Sequence, residues 1–199
     1  RVRGADSAAV VFVAAGALAT GNNTSVTPGL PAGTAVDDLV LIHASIRNSG
    51  TGVPATPAGW TLLVLFGNEA IFGRVYDGVW TMPAVAFTNG AANADTLAES
   101  VTFRRAGMPA DTVATQLNGS AQNIAFPAIL PATDGCAVIL AAWKQDDWIT
   151  TSSPAGWAFI NQVTSTAGSD ASQAWWYQIQ ATAVTIPTGS IPVSGGAAA

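Results

Sequence analysis

A four-residue segment, Pro-Ala-Gly-Trp, occurs twice in this 199-residue chain, at residues 57–60 and again at residues 154–157, an offset of 154 − 57 = 97 positions. Self-similarity at a fixed spacing indicates a repeated structural unit. The preceding segments are also alike, because residues 37–47 align without a gap on residues 134–144. Two copies are too few for a solenoid. The pattern predicts a single domain over residues 1–199 with a pseudo-two-fold internal repeat, its half-repeats at about residues 30–106 and 127–193.

The segment before the first motif predicts a half-buried β-strand. Its alternate positions are all apolar, namely Val40, Ile42, Ala44 and Ile46, and the positions between them become polar towards Arg47. The gapless alignment gives the second copy an equivalent apolar face at Ala137, Ile139, Ala141 and Trp143. Because a one-residue slip would turn these side chains outward, the shared phase predicts that both strands face one core.

Both motifs predict structural corners. Proline fixes φ and ends strand pairing, glycine permits a tight bend, and tryptophan places a large ring on the core edge where the next strand begins. These roles fall on Pro57, Gly59 and Trp60 and on Pro154, Gly156 and Trp157. Regularly spaced short strands and turns then predict an all-β fold, an antiparallel β-sandwich of jelly-roll type with about ten to twelve strands. Residues 91–99 are predicted to form either a helical turn or a loop.

The first twenty residues allow two interpretations. Arg1 and Arg3 precede an apolar run at residues 8–19, which imitates a secretory signal peptide and would make a secreted protein the alternative. Asp6 interrupts the basic region, and this favours a first β-strand. No apolar run reaches the roughly 18 residues that span a bilayer, so no membrane partner is predicted.

The charge content limits the classes of partner. Charged residues make up 10% of the chain and the net charge is −5, against roughly 25% charged residues in ordinary globular domains. The few Lys and Arg residues form no basic stripe, which argues against nucleic acid. A surface so poor in charge is typical of subunits that bury much of it against neighbours.

Residues for catalysis or metal binding are scarce. His43 is the only histidine, lies near no recognisable nucleophile, and is predicted to be half-exposed and structural. One histidine and the single Cys136 cannot furnish a zinc site, and Cys136 is predicted to be a buried, inert thiol. We therefore expect a non-enzymatic protein without a cofactor.

The predicted surface contacts are aromatic and acidic. Trp148 lies in a polar loop beside Asp146 and Asp147, and strand alternation is expected to expose one ring of the pair Trp175 and Trp176. Packing of these rings at a strand edge is the competing interpretation. The two aspartates are predicted to cap a turn, with a calcium site as the weaker interpretation.

The chain resembles a group of tailed-bacteriophage virion structural proteins of the head-decoration or minor-tail type. The resemblance covers most of residues 30–180. It is carried by Asp-Asp-Leu-Val-Leu at residues 37–41, Pro-Ala-Gly-Trp-Thr-Leu at residues 57–62, an aromatic strand at residues 75–76, and a weaker second copy at residues 134–157. Such proteins usually close with another apolar strand, whereas residues 194–199 are strandless here. Either residues 1–20 supply that strand or it is trimmed from this chain.

The resemblance implies a location on the phage particle. The leading expectation is a capsid decoration or cement subunit that binds the major capsid protein or other virion proteins and forms a homo-oligomer, such as a trimer. The alternative is a tail or fibre module that binds host carbohydrate, with Trp148 and one of Trp175 and Trp176 stacking on the sugar.

Overall fold

The chain is all-β, as predicted. A computed structural model describes residues 9–47, 52–88, 93–108, 113–116, 123–165 and 170–195. These residues form fourteen strands: β1 (Val11–Ala15), β2 (Ala19–Asn22), β3 (Leu39–Ile46), β4 (Val53–Pro54), β5 (Thr61–Phe66), β6 (Glu69–Val75), β7 (Phe87–Thr88), β8 (Asp95–Arg104), β9 (Asn123–Phe126), β10 (Cys136–Lys144), β11 (Ile149–Thr150), β12 (Ala158–Ser165), β13 (Ala171–Gln180) and β14 (Gly189–Ser194). No helix in these ranges is long and apolar enough to cross a membrane.

The strands form four antiparallel sheets. The first sheet has the order β1-β8-β3-β6-β5, and β2 also pairs with β8. The second sheet is β10-β13-β12, the third is β11-β14-β9, and the fourth is the two-stranded β4-β7. All pairings between these strands are antiparallel.

Three large apolar clusters hold the sheets together. The central cluster joins the first and second sheets and includes Leu41, Phe103 and Trp175. One outer cluster packs the third sheet on the far side of the second, around Trp148 and Trp176. The other outer cluster covers the far side of the first sheet with the segments around residues 26, 80 and 85 and with β7. The first and second sheets are therefore covered on both faces, which the β-sandwich prediction did not include.

Two three-stranded units share one design. In β3-β6-β5 and in β10-β13-β12, the third strand in the chain is the central one. The register shifts in β5 between Leu62 and Val64, and in β12 between Phe159 and Asn161. These positions differ by 97 in each case (159 − 62 and 161 − 64), the same offset as the Pro-Ala-Gly-Trp motifs. A jelly-roll order, a two-fold axis and the boundaries of the half-repeats stay predictions.

The pairing registers correct the gapless alignment by one residue. Val40 pairs with Arg74 in the first unit, and Val138 pairs with Gln178 in the second. Arg74 and Gln178 lie in the central strands β6 and β13, so these two strands are offset by 178 − 74 = 104 residues. The pairs Thr61–Gly73 and Ala158–Tyr177 give the same offset, 177 − 73 = 104. The corresponding offset between β3 and β10 is 138 − 40 = 98, not 97.

The prediction that the alternate apolar residues of β3 and β10, taken at an offset of 97, face one shared core is therefore wrong. Val40, Ile42 and Ala44 belong to the outer cluster of the first sheet, whereas Ala137, Ile139 and Ala141 contact the central cluster. Their counterparts at an offset of 98 are Leu39, Leu41 and His43. Leu39 and Leu41 lie in the central cluster, so equivalent faces of the two units meet. One residue of slip in a strand exchanges its two faces, which is why so small an error reverses the assignment.

The two Pro-Ala-Gly-Trp segments form matching turns. The N–H of Trp60 donates to the carbonyl of Pro57, and that of Trp157 to the carbonyl of Pro154, both at 3.1 Å. Gly59 and Gly156 have φ of +77° and +83°, a left-handed conformation that glycine adopts at little cost. Trp60 and Trp157 are both buried, each in the outer cluster of its own unit.

Two other segments differ from expectation. The strand β8 already begins at Asp95, so the helical turn considered for residues 91–99 is wrong where the chain is described. The strands β1 and β2 pair with β8, so residues 11–22 do not supply a last strand to the second unit. Residues 1–8, which include Arg1, Arg3 and Asp6, lie outside the described ranges.

The corner at Gly156 gives a stability prediction. Gly156→Ala should lower the free energy of unfolding by about 1–2 kcal/mol, because an alanine is strained in the left-handed region. Gly107 has an ordinary φ and open space at its Cβ position, so Gly107→Ala should change stability by less than about 0.5 kcal/mol. Urea unfolding of both variants measures the difference, and equal stabilities would contradict the proposed role of the corner.

Candidate functional site

Trp148 is buried, and the prediction that it is exposed is wrong. Its side chain has 0% exposure and lies in the cluster between the second and third sheets. Gln162 on β12 holds the loop in place, since its Nε2 donates to the Trp148 carbonyl at 2.5 Å and its Oε1 accepts from the Thr150 N–H at 3.0 Å. The neighbouring Asp147 stays at the surface of the loop, whereas the Trp148 ring points into the core.

Trp175 and Trp176 are both buried as well. Strand alternation does send the rings to opposite faces of β13, as expected, with Trp175 in the central cluster and Trp176 in the outer one. At these two positions neither face reaches solvent, because β13 is the central strand of a sheet that carries an apolar cluster on each side. The prediction that one ring is a surface contact is therefore wrong.

Burial of Trp148 predicts a large packing effect. Trp148→Ala should lower the free energy of unfolding by about 3–5 kcal/mol, as expected when a buried aromatic side chain leaves a cavity. The Trp148 indole N–H has no partner among the described residues, so Trp148→Phe should retain most of the stability. Denaturant unfolding compares the two, and an alanine variant as stable as the parent would show that the ring is not part of the core.

His43 lies in a buried polar cluster between the two main sheets, and the prediction that it is half-exposed is wrong. It has 0% exposure. Its Nε2 lies 3.0 Å from a carboxylate oxygen of Glu69 on β6, and its Nδ1 lies 3.3 Å from one of Glu99 on β8. The strand β3 runs between β6 and β8, so a histidine in its middle contacts a carboxylate on each side.

The burial and the carboxylates act on the pKa values of the cluster in a consistent way. Burial alone would lower the pKa of His43, but hydrogen bonds and charge interactions with Glu69 and Glu99 outweigh it and raise that pKa to about 9. Burial raises the pKa of Glu99 to about 7, although the hydrogen bond from His43 partly opposes it. His43 is therefore protonated at neutral pH.

The cluster extends across the interface to the second sheet. Gln173 on β13 accepts a hydrogen bond from Ser45 Oγ at 2.5 Å and donates one from Nε2 to the carbonyl of His43 at 3.1 Å. The ring of Trp175 lies 5.6 Å from the imidazole, centroid to centroid. The Trp175 indole N–H donates to Asn161 on β12 at 2.9 Å.

This arrangement stabilises the interface and is poorly suited to catalysis. His43, Ser45, Glu99 and Gln173 all have 0% exposure, so a substrate has no access to them. Ser45 donates its hydroxyl hydrogen to Gln173, so it does not form the serine–histidine pair of a hydrolase.

Three residues of the cluster were not predicted from the sequence, namely Glu69, Glu99 and Gln173. The apolar pattern around Glu99 was the one available indication. Glu99 alternates with Leu97, Val101 and Phe103 along a single apolar strand face. A carboxylate at such a position requires a buried partner, and the only histidine was the natural candidate.

The buried cluster predicts that stability falls as pH rises. His43 has a folded pKa of about 9, above its unfolded value near 6.5, so its contribution is complete below pH 6.5 and is lost on approaching pH 9. The raised pKa of Glu99 acts in the same direction between about pH 4.5 and 7. The melting temperature of the parent should fall by several degrees between pH 7 and 9.

A matched pair of variants assigns this effect. His43→Gln should be destabilised at pH 7 and should lose most of the dependence between pH 7 and 9. Asp147→Asn, which changes an exposed carboxylate, should keep the parental profile. A parental melting temperature that does not change over this range would contradict the charged cluster.

The structure places three aspartates together at the end of the second sheet. Carboxylate oxygens of Asp146, Asp147 and Asp170 all lie within 4.8 Å of one another. Asp146 also accepts a hydrogen bond from the N–H of its neighbour Asp147 at 2.9 Å, and the turn-capping role of the two aspartates stays a prediction. Calcium usually takes six to eight oxygen ligands. Three carboxylates supply part of such a shell and do not by themselves establish a metal site.

Asp38 and Cys136 both occupy structural positions. Asp38 is buried and forms a bidentate ion pair with Arg104, with oxygen to nitrogen distances of 3.0 and 2.9 Å. It also accepts from the Ala35 N–H at 2.9 Å. Cys136 is partly buried and packs against the outer cluster of the second sheet.

Exposed apolar side chains lie at one end of the first sheet. We call Val36, Val75 and Val79 the valine patch, and Val79 is 84% exposed. Val36 lies against Gly78, since a Cβ at Gly78 would be 3.1 Å from Val36 Cγ2. The Asp37 N–H donates to the Tyr76 carbonyl at 2.8 Å, which holds the two segments side by side.

Comparison with known proteins gives no relative from which a function could be transferred. No family model, curated protein or solved structure matches this chain. The function must therefore be argued from the residues themselves.

Proposed function

We propose that this chain is a non-enzymatic structural protein of a tailed-phage virion, namely a capsid decoration subunit that binds the major capsid protein. The observation that carries the proposal is the valine patch, an exposed apolar surface on a chain with few charges. Apolar patches of this kind on soluble proteins commonly mark interaction sites. The resemblance in the two Pro-Ala-Gly-Trp units supplies the phage context.

The burial of the titratable groups supports a structural role. The only histidine and its partner Glu99 lie inside the sheet interface, where they hold two sheets together. Asp38 and Arg104 form an ion pair that fixes a turn. These residues stabilise the fold and leave the surface to make protein contacts.

The alternative, a carbohydrate-binding module, loses its basis. It depended on exposed rings at Trp148 and at one of Trp175 and Trp176, and all three are fully buried. Of the remaining tryptophans, Trp80 packs edge-on against Trp60 and lies under Arg74. Trp60 and Trp157 are buried and Trp80 and Trp143 are partly buried, so no tryptophan presents an exposed ring for stacking on a sugar.

The proposal predicts that the protein is found on the particle and is held there by the valine patch. Mass spectrometry and immunogold labelling of purified phage particles from the culture that carries the gene should detect it on the head. Recombinant protein should rebind to particles that lack it. The double variant Val36→Asp, Val79→Asp should bind at least about tenfold more weakly, because burying new carboxylates at an interface is costly.

The control is Val184→Asp, which changes an exposed valine in the loop after β13 and should leave binding unchanged. Light scattering on the purified protein reports whether it forms a trimer or another homo-oligomer. Absence of the protein from purified particles would refute the virion proposal. Equal binding by both variants would show that the patch is not the contact surface.

A further inference from the structure

The outer edge of β10 lacks a strand partner among the described residues. The strand β10 pairs with β13 over residues 136–144 and with no other described strand. Its counterpart β3 pairs on both sides, with β6 and with β8. All of β3 is buried, whereas Ile139, Leu140 and Ala141 of β10 are only partly buried although they are apolar.

The other edges of the two main sheets are interrupted, and this one is not. The edge strands β1, β5 and β12 each contain a register shift, at residues 12–14, 62–64 and 159–161. The strand β10 keeps a continuous register through nine residue pairs. Bulges turn an edge away from incoming strands, so β10 is the edge best able to accept one.

The sequence of β10 adds no protection to that edge. It contains no proline, and its only charge is Lys144 at the end. Natural sheet edges that avoid pairing usually carry a central charge, a proline or a bulge. A regular, apolar strand of nine residues without a central charge can act as a template for strand addition.

The first unit shows what covers this edge when it is filled. There β8, a ten-residue strand, runs antiparallel to β3. It directs Leu97, Val101 and Phe103 into apolar clusters on the interface side. On the other side it carries the small side chains of Ala98, Ser100 and Thr102.

We propose that the outer edge of β10 binds an extended segment of a neighbouring protein, which adds as an antiparallel strand with the chemistry of β8. That segment has large apolar residues at alternate positions, small residues between them and no charge at its centre. The inference rests on the proposed function for its setting, because a virion supplies such neighbours, and it names an edge distinct from the valine patch.

A second copy of this chain is a less suitable donor. Among the described strands of the main sheets, β3, β8 and β13 are already paired on both sides and β1, β5 and β12 are bulged, so β10 is the long regular strand that this part of a second copy could offer. Two β10 strands paired over their full length would bring the end of one copy that carries Asp134 near the end of the other that carries Asp146. Like charges brought together at both ends disfavour such a pair.

The test uses the purified chain and a labelled peptide. The peptide has the ten-residue sequence of β8 with Glu99→Val, because the counterpart of His43 in β10 is Ala141 (an offset of 98), which offers no partner for a buried carboxylate. Fluorescence anisotropy measures its binding, and hydrogen exchange monitors the protein. The alternate amides of residues 137–143 that face away from β13 should exchange at least about tenfold more slowly with peptide bound, while β5 and β12 serve as internal control edges.

Two N-methylated peptides provide the matched control. One is methylated at the odd positions and the other at the even positions, so each loses the N–H groups along one edge. If the peptide adds as a strand, one of the two should bind at least about tenfold more weakly and the other should bind nearly normally. A scrambled peptide of the same composition should not bind.

Three outcomes would overturn the inference. Equal binding by both methylated peptides, or by the scrambled one, would indicate non-specific apolar contact. Slow exchange of the outward-facing amides of residues 137–143 without peptide in a monomeric protein would show that the chain covers its own edge. Slow exchange accompanied by a concentration-dependent dimer would assign the edge to a second copy. Absence of the protein from phage particles would refute the virion proposal without altering any of these results.

Discussion

The face-to-face contact between the first and second sheets is the interaction on which the rest of the structure depends. All of β3 and residues 171–176 of β13 are buried on both faces, because each strand also carries an outer layer on its far side. Positions without a solvent face favour side chains that are apolar or hydrogen-bonded. This preference explains why Trp175 and Trp176 are both internal and why His43 contacts a carboxylate on each side.

The buried polar cluster makes that contact specific. Apolar side chains can pack in several relative positions, whereas Gln173 can accept from Ser45 and donate to the His43 carbonyl only when the two sheets are correctly aligned. Removing one member would leave another unpaired in a low-dielectric interior, which is more costly than the bond itself. The cluster therefore couples the alignment of the sheets to the protonation of His43 and Glu99.

The same architecture decides which surfaces remain for other molecules. Most of the aromatic rings and the single histidine are used inside, so the outside offers polar groups, scattered exposed apolar side chains, the valine patch and the edge of β10. These are features for protein contacts, one through apolar area and one through backbone hydrogen bonds. The two units differ most in this respect, since β8 covers the edge of β3 and no described strand covers the corresponding edge of β10.

The sequence by itself determined the all-β class, the long strands beside the two motifs and the repeated corners, because these depend on local properties; it predicted ten to twelve strands where the structure has fourteen. Alternating apolar residues specify a strand, and the Pro-Ala-Gly-Trp segments specify a bend wherever they occur. Only the tertiary structure decided which face of each strand is inside and which side chains are accessible. The alignment of β3 with β10 is shifted by one residue from the sequence alignment, and that shift exchanges the two faces of the strand. Trp148 lies in a polar loop, yet the third sheet covers its ring. Burial depends on layers contributed by distant parts of the chain, so local pattern could not reveal the pairing of His43 with Glu99, 56 residues away.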